Sequence, residues 1–449
     1  MLLDDSALFA KLNELRNETP KAVMWTWTGS FIVDGEVHET VMVKNINIFS
    51  DFKNNHSDLF FIQVDLSANI YTNIILPNKH KLEFKLTREM TGISSNIDIP
   101  MNNYSQQFYA YLTDPINPFV QNTNLGTDNK QTDDIANLIP VTVQLVDYSL
   151  YETRLYEFAG SFRTVTIENL LKCLYTIPIK KNGNIPTNVE IIPPDNFKEY
   201  FQLVVPNGIR LVALADWIQN KYGVYATHIG CYLRNNFWYI YPLLNHQKFN
   251  DTSKTLTVIT VPTAEMASST SSYLYYEDSL VIFTTGGANH IDPSENVLNN
   301  DGRGIKYSIA SNLIDGWRGW KDDIIPHIST NRNFQIINNE TSPTQIENIR
   351  AIPGLVSNNP WKHISKVALG LASMVVVKWE FCNAQLLYPG MPVKVLYKHK
   401  GIVQSLAGTL ISVQSTTLPF LDNPTNKQYG TTAELTIHAE RPINENEPL

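Results

Sequence analysis

Charge is what this chain carries least of. Acidic and basic residues fill 17% of its 449 positions, where an ordinary globular domain holds about 25%. The 35 Lys and Arg are outnumbered by 43 Asp and Glu, for a formal net charge of -8. No basic run occurs, which excludes tight neutralisation of duplex phosphates. Asn, Thr, Ser and Tyr take the place of charge. A surface of such neutral polar groups costs little to desolvate against a partner, and so suits permanent assembly.

Cysteine is almost as scarce. Cys173, Cys231 and Cys382 are odd in number, widely separated and without CxxC or Cys/His spacing, so neither a disulfide framework nor a zinc site is expected. Each has apolar neighbours, as in Leu170-Leu171-Lys172-Cys173-Leu174, and all three read as buried thiols. Long hydrophobic runs are missing too. Val367 to Val377 is the longest, about half of what a bilayer requires. The N-terminus lacks the basic start of a signal peptide. A soluble protein made in a reducing cytoplasm, with no membrane insertion, is expected.

Catalytic signatures are equally sparse. None of the ten histidines stands at i, i+4 with a Glu, and no Gly-x-Ser-x-Gly elbow occurs. Gly286-Gly287-Ala288-Asn289-His290 lacks the lysine and the following helix of a phosphate loop. Asp301-Gly302-Arg303-Gly304 lacks the oxygen ligands of a calcium loop. Both read as turns. Asp65, Asp147, Glu277 and Asp278 could supply paired carboxylates from distant positions, yet no spacing favours them over solvated strand-end acids. No catalytic, cofactor-binding or metal-binding residue is assigned.

What the chain does contain is strand pattern. Residues 6–16 read as a short amphipathic helix capped by Ser6, with Leu8, Leu12 and Leu15 on one face. Strands follow over Ala22–Val33, Val37–Phe49, Leu59–Leu66, His80–Thr87 and Gln107–Leu112, the first pair joined by an Asp34-Gly35 hairpin signal. A polar link over 117–134 precedes further strands up to Phe162. Thr166 caps a helix carrying Glu168 in its first turn and a stripe of Leu170, Leu171 and Leu174. A second helix covers Leu211 to Tyr222 and stops at Gly223. Phe237-Trp238-Tyr239-Ile240-Tyr241 then reads as a strand apolar on both faces, which belongs between layers or at a subunit interface rather than open to a sugar ring. Strands return from Ile364, after a long stretch from Gly286 to Pro360 that is rich in Asn, Gly, Asp and Pro.

The C-terminal turn is the most distinctive segment. Leu386-Leu387-Tyr388-Pro389-Gly390-Met391-Pro392 breaks any helix and feeds a half-buried strand of alternating Val393, Val395 and Tyr397 against Lys394 and Lys398. This segment resembles the closing barrel of the baseplate hub proteins of contractile-tailed bacteriophages, relatives of the base of type VI secretion spike proteins. The shared pattern is a Pro-Gly-Met-x-Val turn, a strand ending in Tyr and a Gly-led strand. Here these are Pro389-Gly390-Met391-Pro392-Val393, Tyr397 and Gly408, with Pro392 a small departure. The middle is similar as well: helix, Tyr222-Gly223, hairpin, then Trp238-Tyr239-Ile240-Tyr241. Upstream, Val143–Asp147 and Phe158-Ala159-Gly160-Ser161-Phe162 resemble the strand–strand–helix entry of a hub.

The resemblance implies a mainly β fold with an α+β middle region, two tail-tube-like β-barrels, and helical and peripheral insertions. The expected division is an N-terminal helix (1–20), a first tube-like barrel (21–116), a linker (117–134) and strands of the barrel pair (135–165). An α+β module (166–255), a peripheral insertion with long loops (256–363), a second barrel (364–442) and a tail (443–449) follow. It further implies a homotrimeric ring that adapts the six-fold tail tube to a three-fold spike. The implied partners are the tail tube protein, the central spike protein and other baseplate proteins, with DNA passing through without sequence-specific binding. The place implied is the virion tail baseplate, after synthesis in the bacterial host cytoplasm. The alternatives are a tail-associated glycan-binding or glycan-cleaving protein, or another tail ring of the same fold.

Overall fold

The computed structural model describes residues 24–91, 103–113, 138–176, 178–179, 185–186, 188–244, 254–260, 273–276, 279–284, 289–291, 305–308, 326–329, 334–341, 373–399, 402–420 and 428–439. The helix expected at 6–16, the linker at 117–134 and the tail at 443–449 lie outside these residues.

The strands are β1 Met24–Val33, β2 Glu36–Glu39, β3 Met42–Asp51, β4 Leu59–Ser67, β5 Glu83–Thr91, β6 Tyr104–Leu112, β7 Leu138–Asp147 and β8 Glu157–Thr166. Next come the short β9 Pro178–Ile179 and β10 Ile185–Pro186, then β11 Asn188–Ile191, β12 Glu199–Arg210, β13 Ile229–Arg234, β14 Phe237–Pro242, β15 Leu256–Thr260, β16 Tyr273–Tyr276 and β17 Ser279–Thr284. After β18 Asn289–Ile291, a separate three-stranded sheet holds β19 Ile305–Ser308, β20 Pro326–Ser329 and β21 Phe334–Thr341. The last strands are β22 Ser373–Glu380, β23 Pro392–His399, β24 Ile402–Pro419 and β25 Gln428–Ala439. Three helices carry labels here: α1 Tyr148–Thr153, α2 Ile167–Tyr175 and α3 Leu211–Lys221.

Turn chemistry places the hairpins where expected. Asp34 and Gly35 both take positive φ between β1 and β2, and Asn235 and Asn236 do the same between β13 and β14. These are the conformations a two-residue hairpin loop demands.

Fifteen strands form one continuous sheet that curls twice. In the first barrel the order is β24-β3-β4-β7-β6-β5-β1-β25, and β25 pairs back onto β24. Its interior is filled by Trp25, Trp27, Phe31, Phe60, Phe84 and Phe108 among other buried side chains. In the second barrel β22, β25, β24, β23, β15 and β17 curl round a core of Val258, Ile282, Val377, Trp379, Val395 and Leu435. Its seam falls between β17 and β22, and Tyr273 of the neighbouring β16 meets Trp379 of β22 edge-on at 5.5 Å.

One hairpin serves both barrels. The first half of β24 pairs with β23, the second half with β3, and β25 runs beside both. A bulge between Leu410 and Ser412 marks the changeover. Before it Leu406 and Leu410 point inward; after it Ile411, Val413, Ser415 and Thr417 do. The extra residue resets the phase of the strand, so Val413 stays with Leu406 and Leu410 in the second core, and Ser415 and Thr417 follow on the same face opposite Ile48 and Ile46 of the first. This differs from the expected division, which gave 364–442 to the second barrel alone. It differs again at β15 and β17, placed in a peripheral insertion by sequence but staves of the second barrel in the structure. Their separation from β23 by more than a hundred residues leaves no local trace.

The middle module is a distinct α+β unit. Helices α2 and α3 bury Ile167, Leu170, Leu171, Leu211, Leu214 and Ile218 against the sheet β11-β14-β13, in which β11 runs parallel to β14. Thr166 caps α2 by accepting from Asn169 N at 3.3 Å, as expected. The Tyr175 hydroxyl accepts from Ala215 N at 3.0 Å and donates to Leu211 O at 2.9 Å, holding α2 against α3. Strand β8, expected with the barrels, pairs instead with β12 as a two-stranded ribbon on this module. The outer edge of β12 is closed at Val204, whose N–H and C=O both bond the Tyr222 hydroxyl, at 3.2 and 3.1 Å. Such blocking prevents stray strand addition.

The thiols require one correction. Cys231 and Cys382 are buried, but Cys173 is exposed on α2, because it lies off the Leu170, Leu171 and Leu174 stripe. Burial pushes both inner thiols up to about 12. A disulfide-exchange reagent should therefore titrate one thiol in the native chain and all three after unfolding. Native titration of two or three would contradict this packing.

Candidate functional site

The geometry that holds the molecule together is the junction where the module meets both barrels. Three pieces converge there: the β3–β4 connection, the β13–β14 hairpin, and the turn from Cys382 to Met391.

Tyr241 sits at the centre. Its ring lies against Gly230 and Gly390, where an added Cβ would come within 2.4 and 2.3 Å of ring carbons. Gly390 also holds φ +71, so a side chain there would meet both a steric and a conformational penalty. The Tyr241 hydroxyl donates to Phe52 O at 2.7 Å, and Phe52 meets Tyr232 edge-on at 4.9 Å. One aromatic ring thus touches the module, the Pro-Gly turn of the second barrel and the loop leaving the first.

Strand β14 is filled on both faces, as its sequence implied. Trp238 and Ile240 belong to the module core. Tyr239 and Tyr241 pack with the second barrel. Phe237, at the start of the strand, is exposed at 39%; from Trp238 to Tyr241 both faces are packed.

Electrostatics follow the same joint. Arg234 donates to Leu387 O at 2.5 Å and lies 3.5 Å from Asp58. Asp58 in turn accepts from Ser50 at 2.5 Å and from Tyr232 at 2.7 Å, and Leu233 N donates to His56 O at 2.8 Å. A second guanidinium joins the barrels directly: Arg88 is buried between Trp25 and Trp27, 4.0 and 5.5 Å from their ring centroids. It donates to Asn383 Oδ1 at 3.0 Å. Burial lowers its pKa to about 10, which leaves it charged at neutral pH. A buried charge held in this way is costly to strand by removing its partners.

The acids named from sequence go to structural work. Asp65 pairs with Lys44 at 3.4 Å. Asp147 caps α1 by accepting from Ser149 N at 2.7 Å and takes a further bond from Gln106 at 2.6 Å. Burial raises its pKa, and the charge of Asp58 adds to the effect. Glu277 and Asp278 lie outside the described residues. Asp58 and Asp147 do line one cavity, with Arg234, Gln106 and Tyr104, but its volume of about 30 Å³ suits a water molecule or two rather than a sugar ring. A wider cleft of about 340 Å³ lies beside β2 and carries one acid, Glu39, and one base, Lys85. Among the described residues no group of three or more His, Cys, Asp or Glu side chains is placed to hold a metal ion. No helix among them is long and apolar enough to cross a membrane.

No protein-family model matches the sequence, and no curated protein matches it. Solved structures of phage tail and type VI secretion proteins do match. A tail protein from Neisseria meningitidis MC58 aligns over 93% of this chain and 98% of its own, at 10% identity and a TM-score of 0.45. The 43 kDa tail protein of prophage MuSo2 from Shewanella oneidensis aligns over 93% and 96%, at 10% identity and 0.45. An E. coli component of the type VI secretion system, described as similar to the T4 bacteriophage tail proteins gp27 and gp5, aligns over 96% and 80%, at 8% identity and 0.38.

Sequence reading missed Arg234, Asp58 and Tyr232 as a unit, since they are joined only by the fold. The one available signal was an arginine closing the otherwise apolar run Ile229–Leu233.

Two measurements test this packing, the first at the junction and the second on the shared hairpin. Tyr241→Phe removes the donor to a buried carbonyl and should cost about 1–2 kcal/mol. Gly390→Ala should cost about 3 kcal/mol through overpacking and positive φ. Urea midpoints at constant slope check both, and unchanged midpoints would contradict the assigned role of Tyr241. The second concerns His438 on β25, only 4% exposed, whose pKa is lowered to about 4 by burial and further by Lys53. The folded state keeps this ring neutral, so its contribution is complete above pH 6.5 and is lost as pH falls from there towards 4. Asp147, raised by burial, acts in the opposite sense. The difference between wild type and His438→Gln isolates the histidine. The variant should lose less stability on acidification, by at most about 3 kcal/mol at pH 4.

Proposed function

We propose that this chain is a structural subunit of a phage-type tail baseplate, forming the hub ring between a six-fold tail tube and a three-fold spike. The observation that carries the reading is the pair of barrels built on one shared hairpin and braced by one module. Both interiors are filled with side chains, so neither barrel conducts anything through itself. A passage can only run between barrels of different copies. Three copies would bring six barrels round one bore, as the resemblance of the Pro389–Tyr397 segment to hub proteins implies.

The work is then mechanical. The ring holds the spike beneath the tube until the tail contracts and afterwards lets the genome leave. The first barrel, closed where β25 pairs back onto β24, has no free strand edge to mispair, and a heterologous contact that closes on itself makes a finite ring. A net charge of -8 opposes adhesion of DNA passing the wall. No residue is assigned a chemical step. The chain would act in the virion, against itself, the tube protein, the spike and other baseplate proteins.

Light scattering of the purified chain, with negative-stain images of the same peak, tests this. An open ring of three times the chain mass is the expected result. Six copies would move the protein to another tail ring. A monomer with saturable glycan binding would replace the reading with a receptor-binding one.

A further inference from the structure

Register places the scarce charge of this chain unevenly around the first barrel. Along β24, β3, β4, β7 and β6 the inward residues are the core, and the outward ones line up across the ladder. One row sets Gln414 beside Phe49 and Phe49 beside Leu59. The next runs Thr416, Asn47, Phe61, Gln144 and Tyr111. A third sets Asn45 beside Gln63 and Gln63 beside Thr142. None of these side chains is charged. Three are large apolar groups left in solvent: Phe49 and Leu59 are each 37% exposed and Tyr111 is 38% exposed.

Charge begins at the border of this wall. Asp51 caps its own loop through Lys53 N and Asn54 N at one end, Lys44 pairs with Asp65 at another, and Glu152 meets the Tyr109 hydroxyl at 3.3 Å on the α1 side. The next strand, β5, presents Glu83, Lys85 and Glu89 at its outward positions. An uncharged centre with exposed aromatic and aliphatic groups and a polar rim is the composition of a protein–protein contact. Nucleic acid is the poorer fit, since the wall offers no cation to phosphate.

We propose that this wall is the face through which one copy of the chain meets the next, an assignment that rests on the ring reading above. The charge argument selects the partner. Two copies that each carry -8 repel, and repulsion is least where they touch through a surface without charge. A foreign subunit could instead exploit that acidity with complementary lysines and would have no need of a neutral wall. The eleven positions of these rows, on strands about 4.8 Å apart with outward residues about 7 Å apart along each, give roughly 370 Å² of flat contact. That is nearly half of the roughly 800 Å² per partner of a stable interface, so the wall would form its centre.

The test pairs two variants of equal charge change in the full chain. Thr142→Lys with Gln144→Lys puts two cations in the wall, and Glu89→Lys puts the same increment on β5. All three positions are at least partly solvent-exposed, so melting temperature should hold in both, which circular dichroism verifies. The expected result is a ring that persists with Glu89→Lys and whose dissociation constant rises at least tenfold with the double variant. Rings that survive the double variant overturn the assignment while leaving the ring reading intact. Surviving rings that newly retain duplex DNA would identify the wall as the bore lining instead, which also overturns it. A wild-type chain that stays monomeric at every concentration overturns the self-contact and the ring together. Loss of the ring in the Glu89→Lys control alone would place the contact on the β5 side and overturn the assignment.

Discussion

The packing of one tyrosine against two glycines is the constraint on which the arrangement of this molecule depends. Tyr241 occupies the volume that any side chain at Gly230 or Gly390 would need, and its hydroxyl holds the Phe52 carbonyl. Packing energy of this kind is short-ranged, so it fixes positions as well as adding stability. Arg234 and Asp58 add direction, because a guanidinium shared between a carboxylate and the Leu387 carbonyl accepts only one placement of its strand. The two barrels are therefore not beads on a string. Their relation is set by a hairpin they share, by Arg88 bridging to Asn383, and by the module pressed against both.

The second organising fact is the economy of charge. Where ionised side chains are buried they bridge parts of the fold, as Arg88 and Arg234 do, and among the described residues of the first barrel the exposed ones stand outside the wall of β24, β3, β4, β7 and β6. A composition that looked diffuse in the chain becomes a pattern in space.

Much of this was legible in the chain, and the reasons for the rest are physical. Turns were readable because Asp34-Gly35, Asn235-Asn236 and Pro389-Gly390 each carry a backbone requirement in their residue types. Helix α2 was readable from its cap and stripe, and the two-faced burial of β14 from its unbroken apolar run. The same stripe should have shown Cys173 to be outside; judging burial from sequence neighbours instead of helix faces produced that error. Strand partners were not readable. Nothing local says that β15 joins β23, that β8 leaves the barrels for β12, or that β24 divides its length between two cores. The junction was invisible for the same reason, since Asp58 and Arg234 are brought together only after three separate elements have docked.

The bulge at Ile411 carries a consequence for how such a chain can change over time. Substitutions along β24 alter one contact at a time, and many would be absorbed. A change of length is different in kind. Removing Ile411 would put the two halves of the strand back in phase, so that one of them would present Gln414 and Thr416 to a core and Val413 to water. The hairpin can drift in composition but is held to a count. Insertions and deletions among related chains should therefore collect in the connections and stay out of this strand.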